Sequence, residues 1–374
     1  MEQETTFCQE LQNNTDIDLR DNRGKRHKLW FVLLNLTLGI LRKRDGSLSS
    51  LHRSIVNKHD ELCISLGIEN ERVISRSHLP ILLQKVNLVV FEELLFRFFG
   101  LKLDEDEKVW FSGDGKELCG SIERGEKRGL CVVQLVGHKN QLVLGQEFYN
   151  GTKESEKPTF CRLLEETGAS RQKITADALH LNPQTTELIA DNGGIFLIGL
   201  KANQKKLLEE MKENASFLTP VNQLLTLDKG HGRIDKRSYF HYEIGRGYYD
   251  QRWEKSNFQS LFKVVRERYD LLSQTSSTET AYYISNGAYD DKEDYFGAIR
   301  SHWSVEVNNH IRDVTLKEDA LKTKKAVSKT LAGVRTMIVN ILQLLNPQNK
   351  IAQLELFQDD FQELFKCLRK INFL

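Results

Sequence analysis

The chain has 374 residues, with 53 Lys and Arg against 52 Asp and Glu for a formal net charge of +1, and 40% apolar residues. These proportions belong to a folded globular protein of two or three domains and exclude a collagenous, low-complexity or wholly disordered chain. The longest apolar run, Leu29 to Leu41, falls short of the roughly 20 residues that a membrane span needs.

Other features narrow the setting. Met1-Glu2-Gln3-Glu4 lacks the basic and apolar regions of a signal peptide. Six cysteines without a C-x-x-C pair offer neither a disulfide framework nor a zinc-ribbon spacing. A reducing cytoplasm and no membrane partner are expected.

From residue 26 to about 100 the periodicity is helical. Leu29, Phe31, Val32, Leu34, Leu38, Ile40 and Leu41 crowd one or two faces, and Ile81 to Phe98 repeat the pattern with Gly100 as its cap. A small all-helical N-terminal domain is predicted, ending before the acidic run 104–107. Between Arg20 and Lys58 ten basic residues meet only Asp21 and Asp45. That surplus suits a polyanion, and equally a solvated helix face.

From Lys108 the period changes to two. A strand from Val109 runs toward Asp114 and is broken by Gly113-Asp114-Gly115; Leu130–Val136 and Gln141–Tyr149 flank a hairpin loop at 137–140. Pro158 opens a helix, Thr159 to Thr167, that Gly168 ends. A short strand, Lys173 to Ala176, delivers Asp177; a helix over 183–191 and a buried strand over 195–200 follow. The order β-β-β-α-β-α-β is that of an α/β, RNase H-like mixed sheet with helices on both faces, although other mixed folds share it. Residues 205–285 break the rhythm. A charged helix, then strand character over 234–244 and 282–285, predicts an inserted, partly β subdomain. Helices are expected from Tyr295 to Leu345, and one amphipathic helix from Ile351 to Phe373.

Asp114 and Asp177 each stand where a predicted strand stops. In a sheet of this order the first and fourth strands are neighbours, so both carboxylates project from one edge. Clustered carboxylates repel unless a cation lies between them, and hard oxygen donors favour Mg²⁺ or Mn²⁺. Two such ions can activate a water and stabilise the leaving oxygen of a phosphodiester. The best third acid is Glu306, because His302, Glu306 and His310 fall at i, i+4 and i+8 of one helix face, with Asp313 beyond. Asp177 serves equally as a helix N-cap.

Read in order, several short motifs form a series. They are Asp18-Leu19-Arg20 with Arg23-Gly24, then Asp114-Gly115-Lys116 with Gly120-Ser121, and Ile174 to His180. Lys201-Ala202-Asn203-Gln204, His231 to Asp235 with Arg237, and Arg300 to Glu306 continuing through His310, Asp313-Val314 and Glu318-Asp319 complete it. From residue 18 to about 335 this series resembles the DDE transposases of bacterial insertion sequences, in particular the H-repeat-associated group. The resemblance implies that Asp114, Asp177 and Glu306 are the catalytic, metal-holding triad of an RNase H-like core, with two divalent ions. It also accounts for the β-containing insertion between the second and third acids.

By the same likeness Lys116, Lys201, Gln204, Arg233, Arg237, Arg300, His302 and Trp303 line the DNA-binding edge, where Lys and Arg meet phosphates and a Trp stacks on an unpaired base. Trp303 also suits a core anchor, His231-Gly232-Arg233 a plain turn, and Lys201 the exposed end of a strand.

The implied organisation is a helical DNA-binding domain over 1–103, which carries Arg20, Arg23, Lys25 and Arg26, and a first core segment over 104–204. The insertion spans 205–285, the helices with the third acid 286–346, and a C-terminal helix 347–374, assigned to a homodimer contact. The implied partners are the double-stranded terminal repeats of an element and its target DNA. Cys119 and Val307 stand where this group usually has Arg and Asn. Two further readings therefore stay open: a DNA-binding or regulatory descendant that does not cut, and an RNase H-like nuclease without strand transfer.

Overall fold

The computed structural model describes residues 5–43, 46–69, 71–99, 103, 107–151, 153–291 and 293–374. Arg44, the predicted cap Gly100 and most of the acidic run (104–106) lie outside the described residues. Five helices come first: α1 (Phe7–Asn13), α2 (Leu29–Leu41), α3 (Leu48–Leu66), α4 (Leu79–Leu83) and α5 (Leu88–Phe98). Every residue of α2 except Trp30 is buried, as expected for an apolar run too short to span a membrane. Among the described residues no helix is long and apolar enough to cross one.

Among the described residues nine strands then form one mixed sheet. They are β1 (Trp110–Leu118), β2 (Leu130–Gly137), β3 (Val143–Asn150), β4 (Lys173–Ala176), β5 (Ile195–Leu200), β6 (Asn222–Gly230), β7 (Arg233–Glu243), β8 (Ser260–Asp270) and β9 (Ser276–Ser285). Their order is β3-β2-β1-β4-β5-β9-β8-β7-β6. As expected, the first and fourth strands are neighbours; they run parallel with Gly113 opposite Ala176.

The inserted strands do not stand apart from this sheet. Unpaired backbone groups along a strand edge are costly to leave bare, and β9 satisfies those of β5 in an antiparallel pair, Leu197 to Leu200 against Ser285 to Tyr282. The strands β6 and β8 carry no clean apolar alternation and escaped the sequence reading.

Helices α6 (Lys153–Glu166), α7 (Pro183–Asp191) and α8 (Lys205–Phe217) cover one face of the sheet. The other face is covered by α9 (Tyr295–Ser301), α10 (Trp303–His310) and α11 (Lys325–Leu345). Three expectations are corrected here. First, Gly113-Asp114-Gly115 does not break β1, which continues to Leu118. Its glycines make room for α6: a Cβ on Gly113 would lie 2.2 Å from the Phe160 ring, and one on Gly115 2.5 Å from the Glu156 carboxyl carbon. Second, α6 begins at Lys153, with Pro158 inside it, and Gly168 follows at φ 72°.

Third, the C-terminal tail is two helices, α12 (Lys350–Asp359) and α13 (Phe361–Lys370). The break falls at Asp360, whose carboxylate accepts from the Gln362 and Glu363 amides and so caps the second helix. Its apolar side is spent inside the chain, since Phe357, Leu364, Leu368 and Phe373 share one buried core with α1, α2, α5 and α11.

Candidate functional site

Alternation along β1 sends Phe111 and Gly113 toward α6, and Ser112, Asp114 and Lys116 toward α10. Because β4 ends opposite Gly113, Asp177 follows directly beside Asp114 on the neighbouring strand. Asp177 caps the short turn 178–180, accepting from the Leu179 amide at 2.8 Å, so capping and membership of an acid pair coexist. The Asp114 carboxyl is pushed up to about 7, first by burial, then by the charges of Asp177 and Glu156. Glu156, which the sequence reading missed, lies behind β1. It accepts from the Tyr149 hydroxyl at 2.7 Å and sits 3.3 Å from His180 Nε2.

The helical segment 302–309 crosses this pair. His302 Nδ1 lies 3.1 Å from Thr175 Oγ1 on β4; burial pulls its imidazole down to about 4, against the upward pull of Asp177. One and two turns further on stand Glu306 and Asn309, and Asn309 donates to Asp114 at 3.4 Å. Glu306 is exposed and lines a groove. Among the described residues no three His, Cys, Asp or Glu side chains form a group able to hold a metal. The two aspartates, adjacent oxygen donors, suit a hard divalent cation. Glu306 does not join them as a third donor.

The groove has a volume of about 560 Å³ and runs between α9–α10 and the sheet face formed by β7, β8 and β9. Arg300, His302, Trp303 and Glu306 form one wall, and Arg233, Arg237, Arg266 and Tyr239 lie on the other. Trp303 is 60% exposed, so it is no core anchor. On the sheet side Asp235 sits among four guanidiniums: Arg268 at 2.9 Å, Arg266 at 3.1 Å, Arg237 at 3.3 Å and Arg233 at 3.5 Å. They hold its carboxyl below the usual range despite burial, which acts the other way. Arg237 and Arg300 also meet Asp228, at 2.6 and 3.1 Å. Arg266 and Arg268 were not singled out from the sequence; their period-two spacing in Val265-Arg266-Glu267-Arg268 was the available signal.

Three residues expected to contact DNA, two at the edge of the site and Arg20 in the N-terminal region, are committed elsewhere. Lys116 is buried, and its ammonium lies 2.7 Å from Asp313, 3.3 Å from Asp319 and 3.5 Å from Glu318. Burial alone would lower it, but Glu318 and Asp313 outweigh burial and raise it. Gln204 donates to the Leu181 carbonyl at 2.8 Å. Arg20 forms a two-point contact with Asp18 and donates to the His27 carbonyl at 2.6 Å. Lys201 is exposed at the end of β5, and Arg23, Lys25 and Arg26 are exposed ahead of α2.

The likeness read from the residue series is borne out by curated relatives. The chain is 24% identical over 339 residues to the "H repeat-associated putative transposase YhhI" of Escherichia coli K12, covering 87% of each chain. It is 27% identical over 242 residues to the "Putative transposase YncI" of Escherichia coli O157:H7, covering 62% of this chain and 60% of that one. The "Putative protein YbfL" of Escherichia coli K12 is 28% identical over 238 residues, 61% of this chain and 62% of its own length. The aligned part of this chain thus spans about three fifths of two of these relatives. No family model matches. In the piggyBac transposase, solved as a synaptic complex with hairpin DNA, one chain is similar at a TM-score of 0.46 and 11% identity, with 97% of this chain and 80% of that chain covered.

Proposed function

We propose that this chain is a DNA transposase with an RNase H-like core. It binds the terminal inverted repeats of an insertion sequence, hydrolyses the phosphodiester at each end and joins the freed 3′-hydroxyl to target DNA. The observation that carries the reading is the acid pair Asp114–Asp177 packed against a helix whose His302, exposed Trp303 and Glu306 line a groove of arginines. The similarity to proteins named as transposases supports it.

In this reading the groove arginines bind phosphates of the end, and Trp303 offers a stacking face to an unpaired base. Asp114 and Asp177 would hold Mg²⁺ or Mn²⁺, which when bound supplies an activated water and a stabilised leaving oxygen. Glu306 acts from the groove wall, His302 fills the space between β4 and α10, and Asn309 orients Asp114. Arg23, Lys25 and Arg26 add phosphate contacts from the helical N-terminal region. Two ends handled together call for two copies of the chain.

The position of Glu306 outside the pair favours a second reading, a descendant that binds DNA and does not cut. One experiment separates the two. A labelled duplex carrying the element's own end is incubated with Mg²⁺ or Mn²⁺ and wild type, Asp177→Ala or Glu306→Ala. Nicking at the repeat boundary that falls by about a thousandfold or more in both variants is expected, with joining to a second duplex in wild type. Binding without nicking in wild type under either metal sinks the enzymatic reading.

A further inference from the structure

The carboxylates around Lys116 belong to the chain that follows Glu306. Arg312 and Asp313 come six and seven residues after it, in a π-helical turn, Ile311–Thr315, whose Leu316 amide bonds back to the Ile311 carbonyl at 2.9 Å. From this turn Asp313 reaches Lys116 on β1, while its neighbour Arg312 reaches Glu318 and Thr336. Arg312 is fully buried and grips Glu318 through two 2.8 Å bonds. Asp313, Glu318 and Asp319 all converge on Lys116, and Asp319 also accepts from the Cys119 amide at 3.0 Å.

This network brackets Asp114 from two sides. Lys116 is two residues along the same strand and on the same face. Gln134 is the cross-strand partner of Asp114. Its amide donates to Thr336 at 3.0 Å and to Gln146 at 2.9 Å, and Arg312 donates to the same Thr336 at 3.3 Å. Strand β1 and the segment after α10 are therefore tied together by charged contacts that centre on the buried Lys116 and Glu318 and are short and directional. A lysine with three carboxylate partners and no exposed face is not available to a phosphate.

We infer that Lys116 and Arg312 are positioning residues: they form a clamp that sets where α10 carries Glu306 with respect to Asp114. The inference rests on the proposed role of Glu306 and deepens it. The clamp lies outside the groove and touches neither DNA nor reacting atoms. Its effect is transmitted through the six residues between Glu306 and Asp313. Loosening it leaves the arginines of the groove in place while α10 loses its fixed setting.

The test uses the full-length chain with Lys116→Met, Lys116→Arg and Asp313→Asn. Hydrogen–deuterium exchange of residues 303–319 is read without DNA, and nicking rate and affinity are read on the end duplex. For Lys116→Met we expect exchange over 306–316 to be faster by about tenfold or more, with the strands unchanged. Nicking should slow about a hundredfold, with DNA affinity within about threefold of wild type. Lys116→Arg, which keeps the charge, restores both to within about threefold. Asp313→Asn, which removes one partner, reproduces the faster exchange if Lys116→Met fails to fold.

Wild-type exchange and nicking in Lys116→Met overturn the clamp. A loss of DNA affinity that matches the loss of nicking makes Lys116 a phosphate contact and also overturns it. Faster local exchange in a protein whose wild type never nicks upholds the clamp and sinks the enzymatic reading instead.

Discussion

Two clusters in this molecule mix the same residue types in opposite proportions. Around Lys116 and Arg312 the carboxylates of Asp313, Glu318 and Asp319 match or outnumber the cations, and the centre is sealed: Arg312 has 0% and Glu318 4% of its side chain exposed. On the groove side five arginines, at 233, 237, 266 and 300 with Arg268 beside them on Asp235, face four acids, Asp228, Asp235, Glu279 and Glu306. Their side chains are 16–52% exposed. A balanced cluster with a dry centre has spent its charge on the fold. An unbalanced, wet one keeps positive charge for a polyanion. The sign of the surplus and the access of water, rather than the number of ion pairs, separate structure from binding.

The sharpest way to break this contrast is Arg312→Met. Removing one partner of a buried, two-point ion pair leaves the Glu318 carboxylate, held down near about 2 by Arg312, Arg335 and Lys116 against the upward push of burial, short of its main partner. A loss of about 3 kcal/mol in urea denaturation is expected. A loss below about 0.5 kcal/mol, the range of surface changes, would mean that the cluster does not hold the fold.

A pH-dependent effect, spread over several pH units, is expected at the far end of the same polar network. Glu92 on α5 accepts from Gln146 at 2.6 Å, and burial, with Glu147 nearby, pushes its carboxyl up to about 8. Between its ordinary pKa near 4.5 and about 8 the folded chain keeps a proton that the unfolded chain has released. Stability should therefore decline as pH rises through that window, by up to about 1.4 kcal/mol per pH unit, and level off above it. Glu92→Gln cannot ionise and should lack the decline. Denaturation at pH 5, 7 and 9 checks this, and an equal offset between wild type and variant at all three values would refute it.

The smallest change in stability is expected from Arg266→Met in the groove, under about 1 kcal/mol because its partner Asp235 keeps three other guanidiniums. Its effect should appear instead in DNA binding, where the slope of log affinity against log salt should fall by about 1. A variant that melts several degrees lower and keeps the wild-type salt slope would move Arg266 into the structural class.

The amino-acid sequence alone determined the elements with strong local signals. The apolar run of α2, the β-rich runs of β2 and β5, and the strand that ends at Asp177 follow from periodicity and turn residues, which act over a few neighbours. The neighbourhood of Asp114 and Asp177 was also legible, because few topologies accept that order of strands and helices. Other features depend on partners distant in the chain. Gly113 and Gly115 look like a strand break until the approach of Phe160 and Glu156 shows why the strand needs them. Lys116 looks like a phosphate ligand until residues 313–319 fold over it. Arg266 became part of a groove, with Arg268 beside it on Asp235, when β9 joined β5 and turned the insertion into an extension of the same sheet. Burial and charge balance are sums over such long-range neighbours, so only the tertiary structure could decide which lysines and arginines hold the fold and which remain free to meet DNA.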